Sequence, residues 1–348
     1  MATEKSLPSK ELAQCLSAVF VSIGTRPEDA DFVARQLVAS NLRGHDSHGA
    51  LRVRQYVNGS ISGQLVPGAQ PEIISESASY ASIDARRSYG QIACKRAMEI
   101  GIAKARETGL ALIGVHNAYH IGRLGDYTSM ASDEGLMATG FCNGGGPNVA
   151  PHGSRDRVLG TNPMACSVPT KSSVGYDLEI DFASAASAEG KLNVARIKGE
   201  NVRPGLMQNS EGNPTENPND FYDGGSIVPI GGQKGSALSL VLEILGGVFT
   251  GGRCSAFDDY VDGNGVLFLI TRTDLFRPQE NFDEDMSLIH DAVTGSQRAA
   301  GFDEVLFPGD AERRHLKESD ESGIVLDPRS LEIIKEVCDE VDVSFPDN

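Results

Sequence analysis

No run in this chain approaches 18 uncharged apolar residues, which excludes an apolar membrane-spanning helix. Basic residues are in deficit: 31 Lys and Arg against 48 Asp and Glu leave a net charge of −17. That sign repels nucleic-acid backbones and anionic membranes, so neither is expected as a partner. None of the six cysteines (Cys15, Cys94, Cys142, Cys166, Cys254 and Cys338) stands in a CxxC pair. Most have apolar neighbours, which reads as buried thiols in a reducing compartment. Also missing are a GxGxxG after a strand, a GxxxxGK[ST] loop and a GxSxG elbow. A standard Rossmann fingerprint, a Walker loop and the nucleophile turn of α/β-hydrolases are thereby excluded. The start, Met-Ala-Thr-Glu-Lys, leads into an amphipathic segment rather than a signal-peptide core. A soluble, cytoplasmic protein is expected.

What is there is ordinary globular material: 348 residues, 40% hydrophobic and 23% charged, enough for about two or three domains. Leu12, Cys15, Leu16, Val19 and Phe20 recur at helical spacing, and Gly24 ends that helix. Thr25-Arg26-Pro27-Glu28 reads as a capping box opening a second helix, with Val33, Leu37 and Val38 on its buried face and Gly44 as its stop. Residues 1–74 therefore read as a helical unit, with Pro67-Gly68 and Pro71 at its exit. Beyond Tyr80 the pattern alternates: a helix over 91–107, strands over 110–115 and 136–141 with a helix over 122–133 between them, and further strands over 177–182 and 266–271. That order predicts an α/β body. The Gly-, Pro- and Asn-rich stretch 143–164 predicts a long functional loop. The chain closes with a helix over 329–341.

The densest chemistry lies in Gly44-His45-Asp46-Ser47-His48-Gly49 and the residues that follow it. If a helix starts at Ser47, then His48, Arg52 and Tyr56 fall at i, i+4 and i+8 and form one stripe. A proton-transferring imidazole, a permanent cation and a phenol on one face suit a small carboxylate-bearing substrate. Ser47 doubles as a candidate N-cap. As a hydrolytic nucleophile it lacks an elbow, and a sequence-adjacent histidine is not expected to reach its hydroxyl usefully. His45 and His48, with Asp46 between, could form a zinc site, although no third ligand stands nearby. A second segment, His116-Asn117-Ala118-Tyr119-His120-Ile121-Gly122-Arg123-Leu124-Gly125, leaves the C-terminal end of a buried strand, the edge where open α/β sheets bind ligands. A third, Gly231-Gly232-Gln233-Lys234-Gly235, opens a helix, where free N–H groups and a lysine could cradle phosphate.

Together with Gly160-Thr161-Asn162-Pro163, Asp181-Phe182-Ala183-Ser184, Ala188-Glu189-Gly190-Lys191 and the late Phe307-Pro308-Gly309-Asp310, these motifs resemble, in order, the malate/L-lactate dehydrogenase family that lacks a Rossmann fold. Its members include L-sulfolactate and ureidoglycolate dehydrogenases and cyclic imino acid reductases. The resemblance runs from about residue 10 to about 328. It implies an NAD(P)-binding α/β fold of the L-sulfolactate dehydrogenase type with a helical N-terminal domain. That domain (1–74) would be completed by residues 308–348, and 75–307 would bind the cofactor. The implied activity is interconversion of a 2-hydroxy acid and a 2-oxo acid, with NAD or NADP as cofactor and a homodimer as the assembly.

By resemblance, His48 (supported by Ser47) or His120 moves the proton, and Arg52 grips the carboxylate. Tyr56 and Thr161 join Arg52 on the substrate. His120, Ile121, Gly122, Arg123, Leu124, Gly144, Asp181, Phe182, Ala183, Lys234, Gly309, Asp310 and Ala311 line the cofactor, and no metal is implied. Two departures stand out. Lys191 replaces the acidic residue of the cyclic imino acid reductases, which favours an oxo or hydroxy acid over a cyclic imine. Leu206 stands where the family commonly has tryptophan, a residue this chain lacks altogether. A piperideine-2-carboxylate reductase and a zinc-dependent hydrolase remain the rival readings.

Overall fold

The computed structural model describes residues 5–346. Strand β1 (Lys5–Leu7) leads into helices α1 (Ser9–Ser22), α2 (Pro27–Leu42) and α3 (Val53–Ile61). A hairpin of β2 (Glu72–Glu76) and β3 (Tyr80–Asp84) precedes α4 (Gly90–Thr108), β4 (Leu110–Ala118), α5 (Gly125–Ser132) and β5 (Leu136–Asn143). Next come β6 (Pro163–Val168), the single turn α6 (Lys171–Val174), β7 (Leu178–Ala183) and α7 (Glu189–Lys198). The short strands β8 (Met207–Gln208), β9 (Pro214–Thr215) and β10 (Ser226–Ile227) follow, with α8 (Asn219–Tyr222) between the last two. Then come α9 (Gln233–Leu242), β11 (Asn264–Arg272), α10 (Gln279–Thr294), α11 (Asp310–Ser322), β12 (Ile324–Leu326) and α12 (Pro328–Glu340).

The body is a seven-stranded mixed sheet in the order β2-β3-β4-β11-β5-β6-β7. Only β3 and β4 run parallel; every other neighbouring pair is antiparallel. The expected α/β body is present, but alternation of strands and helices did not imply a parallel sheet. The strand β11 arrives late in sequence and wedges between β4 and β5. Helix α4 lies close on this sheet because it offers small residues to it. A Cβ on Gly101 would stand 2.6 Å from the Ile270 side chain and 2.9 Å from that of Ile113.

A second core joins the two ends of the chain. Leu12, Leu16, Phe20, Val33, Leu37 and Tyr56 pack with Ile334, Val337 and Cys338, and β1 pairs with β12. A third, small core around Val149, Leu159, Leu192, Phe221 and Ile227 supports the three-stranded sheet β10-β8-β9. Sequence patterning shows no sign of these two-residue strands, nor of β2, β3, β6 and α10.

Three local expectations are corrected. Thr25 does not cap α2; the N-cap is Arg26, without a side-chain cap bond, and the Thr25 hydroxyl pairs instead with Tyr89 at 2.8 Å. The helix expected from Gly122 starts at Gly125, and residues 119–124 are irregular. No helix starts at Ser47, where the chain makes two 3₁₀ turns, Asp46–His48 and Ala50–Arg52, hinged at extended Gly49. Asn41 imposes that break. Its Oδ1 accepts from the Ala50 N–H (2.8 Å), and its Nδ2 donates to Asp46 (2.6 Å). A Cβ on Gly49 would lie 2.3 Å from the same Oδ1, so only glycine fits.

Candidate active site

A cavity of about 300 Å³ opens where β4 and β5 end and β11 begins. His48, Arg52 and Gln55 line it from the helical unit, and Tyr119, His120, Ile121 and Gly122 from the segment after β4. The loop after β5 supplies Gly144, Gly145, Asn148 and Thr161; the start of α7 supplies Glu189 and Gly190; Asp262 and Asn264 close it near β11. The long 143–164 loop is thus a wall of the cavity. Buried amides hold it there. Asn162 accepts from the Gly144 N–H (3.1 Å), and Glu243 accepts from the Gly160 N–H (3.0 Å). Asn264 bridges two walls, donating to the Asn143 carbonyl (2.9 Å) and accepting from the Ile121 N–H (3.2 Å). Glu243, buried at the start of a π-helical turn (Glu243–Val248) that continues α9, was not singled out from the sequence. Neither were Asn143, Asn264 and Gln91. Each is polar and isolated between apolar or glycine residues, and only the fold shows what it bonds.

The loss of the Ser47 helix does not separate the expected residues. His48 and His120 stack with ring centroids 5.7 Å apart. The Ser47 hydroxyl lies 3.1 Å from His48 Nδ1, so this adjacent pair does meet, because a 3₁₀ turn folds one back on the other. Arg52 is pinned by two bonds, Nε to the Ser47 carbonyl (2.6 Å) and Nη1 to Gln55 (2.7 Å), which leaves Nη2 without a partner among the described residues.

Tyr56 is corrected from its substrate-contacting role: it is fully buried and does not line the cavity. Its hydroxyl stands behind His120, accepting from Gln91 Nε2 and lying 2.8 Å from His120 Nδ1. The Gly122 N–H also points at that Nδ1, at 3.3 Å. A backbone N–H can only donate, so His120 Nδ1 is an acceptor and the ring proton sits on Nε2.

Electrostatics keep both imidazoles neutral. Burial, then the Arg52 charge, lowers His48 to about 3 and places His120 well below its ordinary value. His45, just outside the cavity, is lowered to about 4, mainly by burial. It approaches Glu312 of α11 at 3.9 Å. Among the described residues no three metal-binding side chains cluster.

The remaining expected cofactor residues fall into two groups. Ile121 and Gly122 line the cavity beside His120 and Gly144. Arg123 and Leu124 lie beneath, Leu124 against Gly140 and Arg123 paired with Asp126 at 2.8 Å. Asp181, at the end of β7, accepts from the Gly125 N–H (2.8 Å) and is held up to about 6 by burial, against the pull of Arg123. Phe182 is exposed beside it, and Ala183 ends the strand. Gly309 caps α11 with φ +94° next to Glu179 of β7, so Asp310 and Ala311 open that helix beside the same strand. Lys234 sits exposed in the first turn of α9, after Gly231 and Gly232 with φ +57° and +63°, and does not line the cavity. Buried Arg123 carries an Nε with no hydrogen-bond partner, which faces Asp181 Oδ2 as an ion pair at 3.9 Å.

The model of the malate/L-lactate dehydrogenase family matches residues 7–335. The malate dehydrogenase of Pyrococcus abyssi is 33% identical over 97% of this chain and 95% of its own. The L-sulfolactate dehydrogenase of Methanothermobacter thermautotrophicus is 35% identical over 97% of each. The solved structure of malate dehydrogenase from Pyrococcus horikoshii superposes with a TM-score of 0.89, at 30% identity, over 99% of this chain and 97% of that one. The chain belongs to the malate/L-lactate dehydrogenase family, oxidoreductases that interconvert 2-hydroxy and 2-oxo acids with a nicotinamide cofactor.

Proposed function

We propose that catalysis takes place between Arg52, His48 and His120, with a fixed division of labour between the histidines. The observation behind this is the pair of stacked neutral imidazoles, whose Nε2 atoms lack partners among the described residues, beside a pinned guanidinium. Arg52 receives the substrate carboxylate through its free Nη2 edge. His120, its proton kept on Nε2 by the Tyr56 hydroxyl and the Gly122 N–H, donates a hydrogen bond to the C2 oxygen. His48, whose Nδ1–H can rest on the Ser47 hydroxyl, takes the hydroxyl proton on Nε2 during oxidation and returns it during reduction. Thr161 flanks the substrate.

The cofactor, NAD or NADP, supplies hydride exchange at C2 when bound. His120, Ile121, Gly122 and Gly144 would hold it on the cavity side. Arg123, Leu124, Asp181, Phe182 and Ala183, with Gly309, Asp310, Ala311 and Lys234, would hold the rest. The glycine turns at 231–232 and 309 support that placement.

The same reading includes a cytoplasmic homodimer with a domain of 1–74 completed by 308–348 and a cofactor-binding domain of 75–307. The shared core of the two chain ends supports the division. An exposed apolar stripe, Leu240, Val241, Ile244, Val248 and Phe249, supports the dimer.

The test is a panel of 2-oxo acids and piperideine-2-carboxylate, assayed with NADH and with NADPH, on the wild type, His48→Gln and His120→Gln. Oxo-acid reduction is expected. His48→Gln should lose at least about a hundredfold in kcat. His120→Gln, whose amide can still donate, should lose less. Reversed losses would exchange the two roles, and turnover of the cyclic imine alone would overturn the substrate assignment.

A further inference from the structure

The charges around the cavity narrow the substrate further. Arg52 is the one permanent cation that lines it among the described residues, against two carboxylates, Asp262 and Glu189. Glu189 is directed by the Tyr222 hydroxyl, which donates to it at 2.6 Å. Among the described residues Asp262 accepts only a long contact of 3.5 Å from the Tyr260 hydroxyl, so its acceptor oxygens are largely unspent. Its position relative to the anchor follows from Tyr119. That hydroxyl donates to the Gln55 carbonyl (3.1 Å) and feels both the Asp262 charge and the Arg52 charge. Arg52, Tyr119 and Asp262 thus line one cavity, with Tyr119 in electrostatic reach of both charges. Lys191 acts on His45 and His48 but does not line the cavity. The whole molecule, at −17, adds a field of the same sign as Asp262.

We propose that the substrate is a monocarboxylate: a 2-hydroxy acid whose chain beyond C2 carries no second negative charge and offers a hydroxyl to Asp262. Arg52 takes the only carboxylate. A second one, two bonds beyond C2, would sit near Asp262 without a cation to meet it, and like charges at such separations cost about tenfold in binding. A hydroxyl at C3 instead finds an acceptor. This rests on the dehydrogenase reading and selects a substrate class within it.

Lactate, glycerate and malate test the idea because they share a 2-hydroxypropanoate frame and differ only at C3: hydrogen, hydroxyl or carboxylate. Both C2 enantiomers are assayed with NAD and with NADP, on the wild type and on Asp262→Asn, a substitution on an exposed loop. The expected order of kcat/KM is glycerate, lactate, malate, with about tenfold or more between first and last. In Asp262→Asn, malate should gain several-fold and glycerate should fall, while lactate stays within about twofold. Malate matching or exceeding glycerate in the wild type, or a glycerate-to-malate ratio unmoved by the substitution, overturns the proposal and leaves the dehydrogenase reading intact. No turnover of any of the three, nor of any other 2-hydroxy acid, overturns both.

Discussion

At the scale of single residues, the site depends on keeping imidazoles neutral inside protein. His48 is lowered to about 3 and His45 to about 4, and His120 is lowered too. In the unfolded chain each titrates near 6.5. As pH falls below that value the unfolded state takes up protons that the folded state refuses. Stability present above about pH 6.5 is therefore lost toward the folded values, at about 1.4 kcal/mol per pH unit for each histidine. Buried Asp181, Asp126 and Glu179 are all raised, so they bind protons early in the fold and act in the opposite direction. Replacing His48 by Asn isolates its share. Denaturant melts between pH 6.5 and 4.5 should show a slope shallower than that of the wild type, by about one proton. An identical slope would mean that His48 is not sheltered. Because Arg52 helps to depress the His48 and His120 imidazoles, a carboxylate docking on it should raise their proton affinity. The charge state of the site is thereby coupled to occupancy.

At the scale of elements, the central strands and the first two helices were legible because their apolar residues keep one period over several turns or pleats. The strand expected over 110–115 is there as β4, with Ala111, Ile113 and Val115 buried and the residues between them not. The Ser47 segment was not legible, because its path is set by Asn41, a polar residue on the preceding helix whose bonds do not appear in any period. Its residues meet nonetheless: Ser47, His48 and Arg52 converge with His120 although the supposed stripe does not exist. Gly49→Ala should lower stability by about 1–3 kcal/mol through overpacking against Asn41. It should also reduce kcat/KM, since Ser47 through Arg52 must shift. Adding Asn41→Ala removes the clash, so the double variant should be less destabilised than the sum of the two single variants. Strict additivity in thermal melts would show that the contact does not set the turn.

At the scale of the whole molecule, the two chain ends share one core and one strand pair, which places α12 behind the segment that carries Arg52. Arg54 of α3 bonds Glu340 of α12 (2.6 Å) and pairs with Glu336 (3.3 Å). The exposed stripe on α9 and its π-helical continuation is the surface on which the proposed dimer rests. Ile244→Asp combined with Val248→Asp should convert the particle to half its mass in light scattering with the fold intact by circular dichroism. An unchanged mass would move the interface elsewhere.

The sequence by itself determined the chemistry. Residue types and motif order pointed to a nicotinamide-dependent 2-hydroxy-acid dehydrogenase without a Rossmann fingerprint and supplied the candidates for anchor and proton carrier, since reactive groups are side chains and are read directly. Tertiary structure alone decided which of them touch. It inserted β11 between β4 and β5, withdrew Tyr56 from the cavity and set it behind His120, and brought Asp262 into the lining of the cavity that Arg52 also lines. Those outcomes depend on hydrogen bonds between residues far apart in the chain, 143 positions in the Ile121–Asn264 contact, and no local period encodes them.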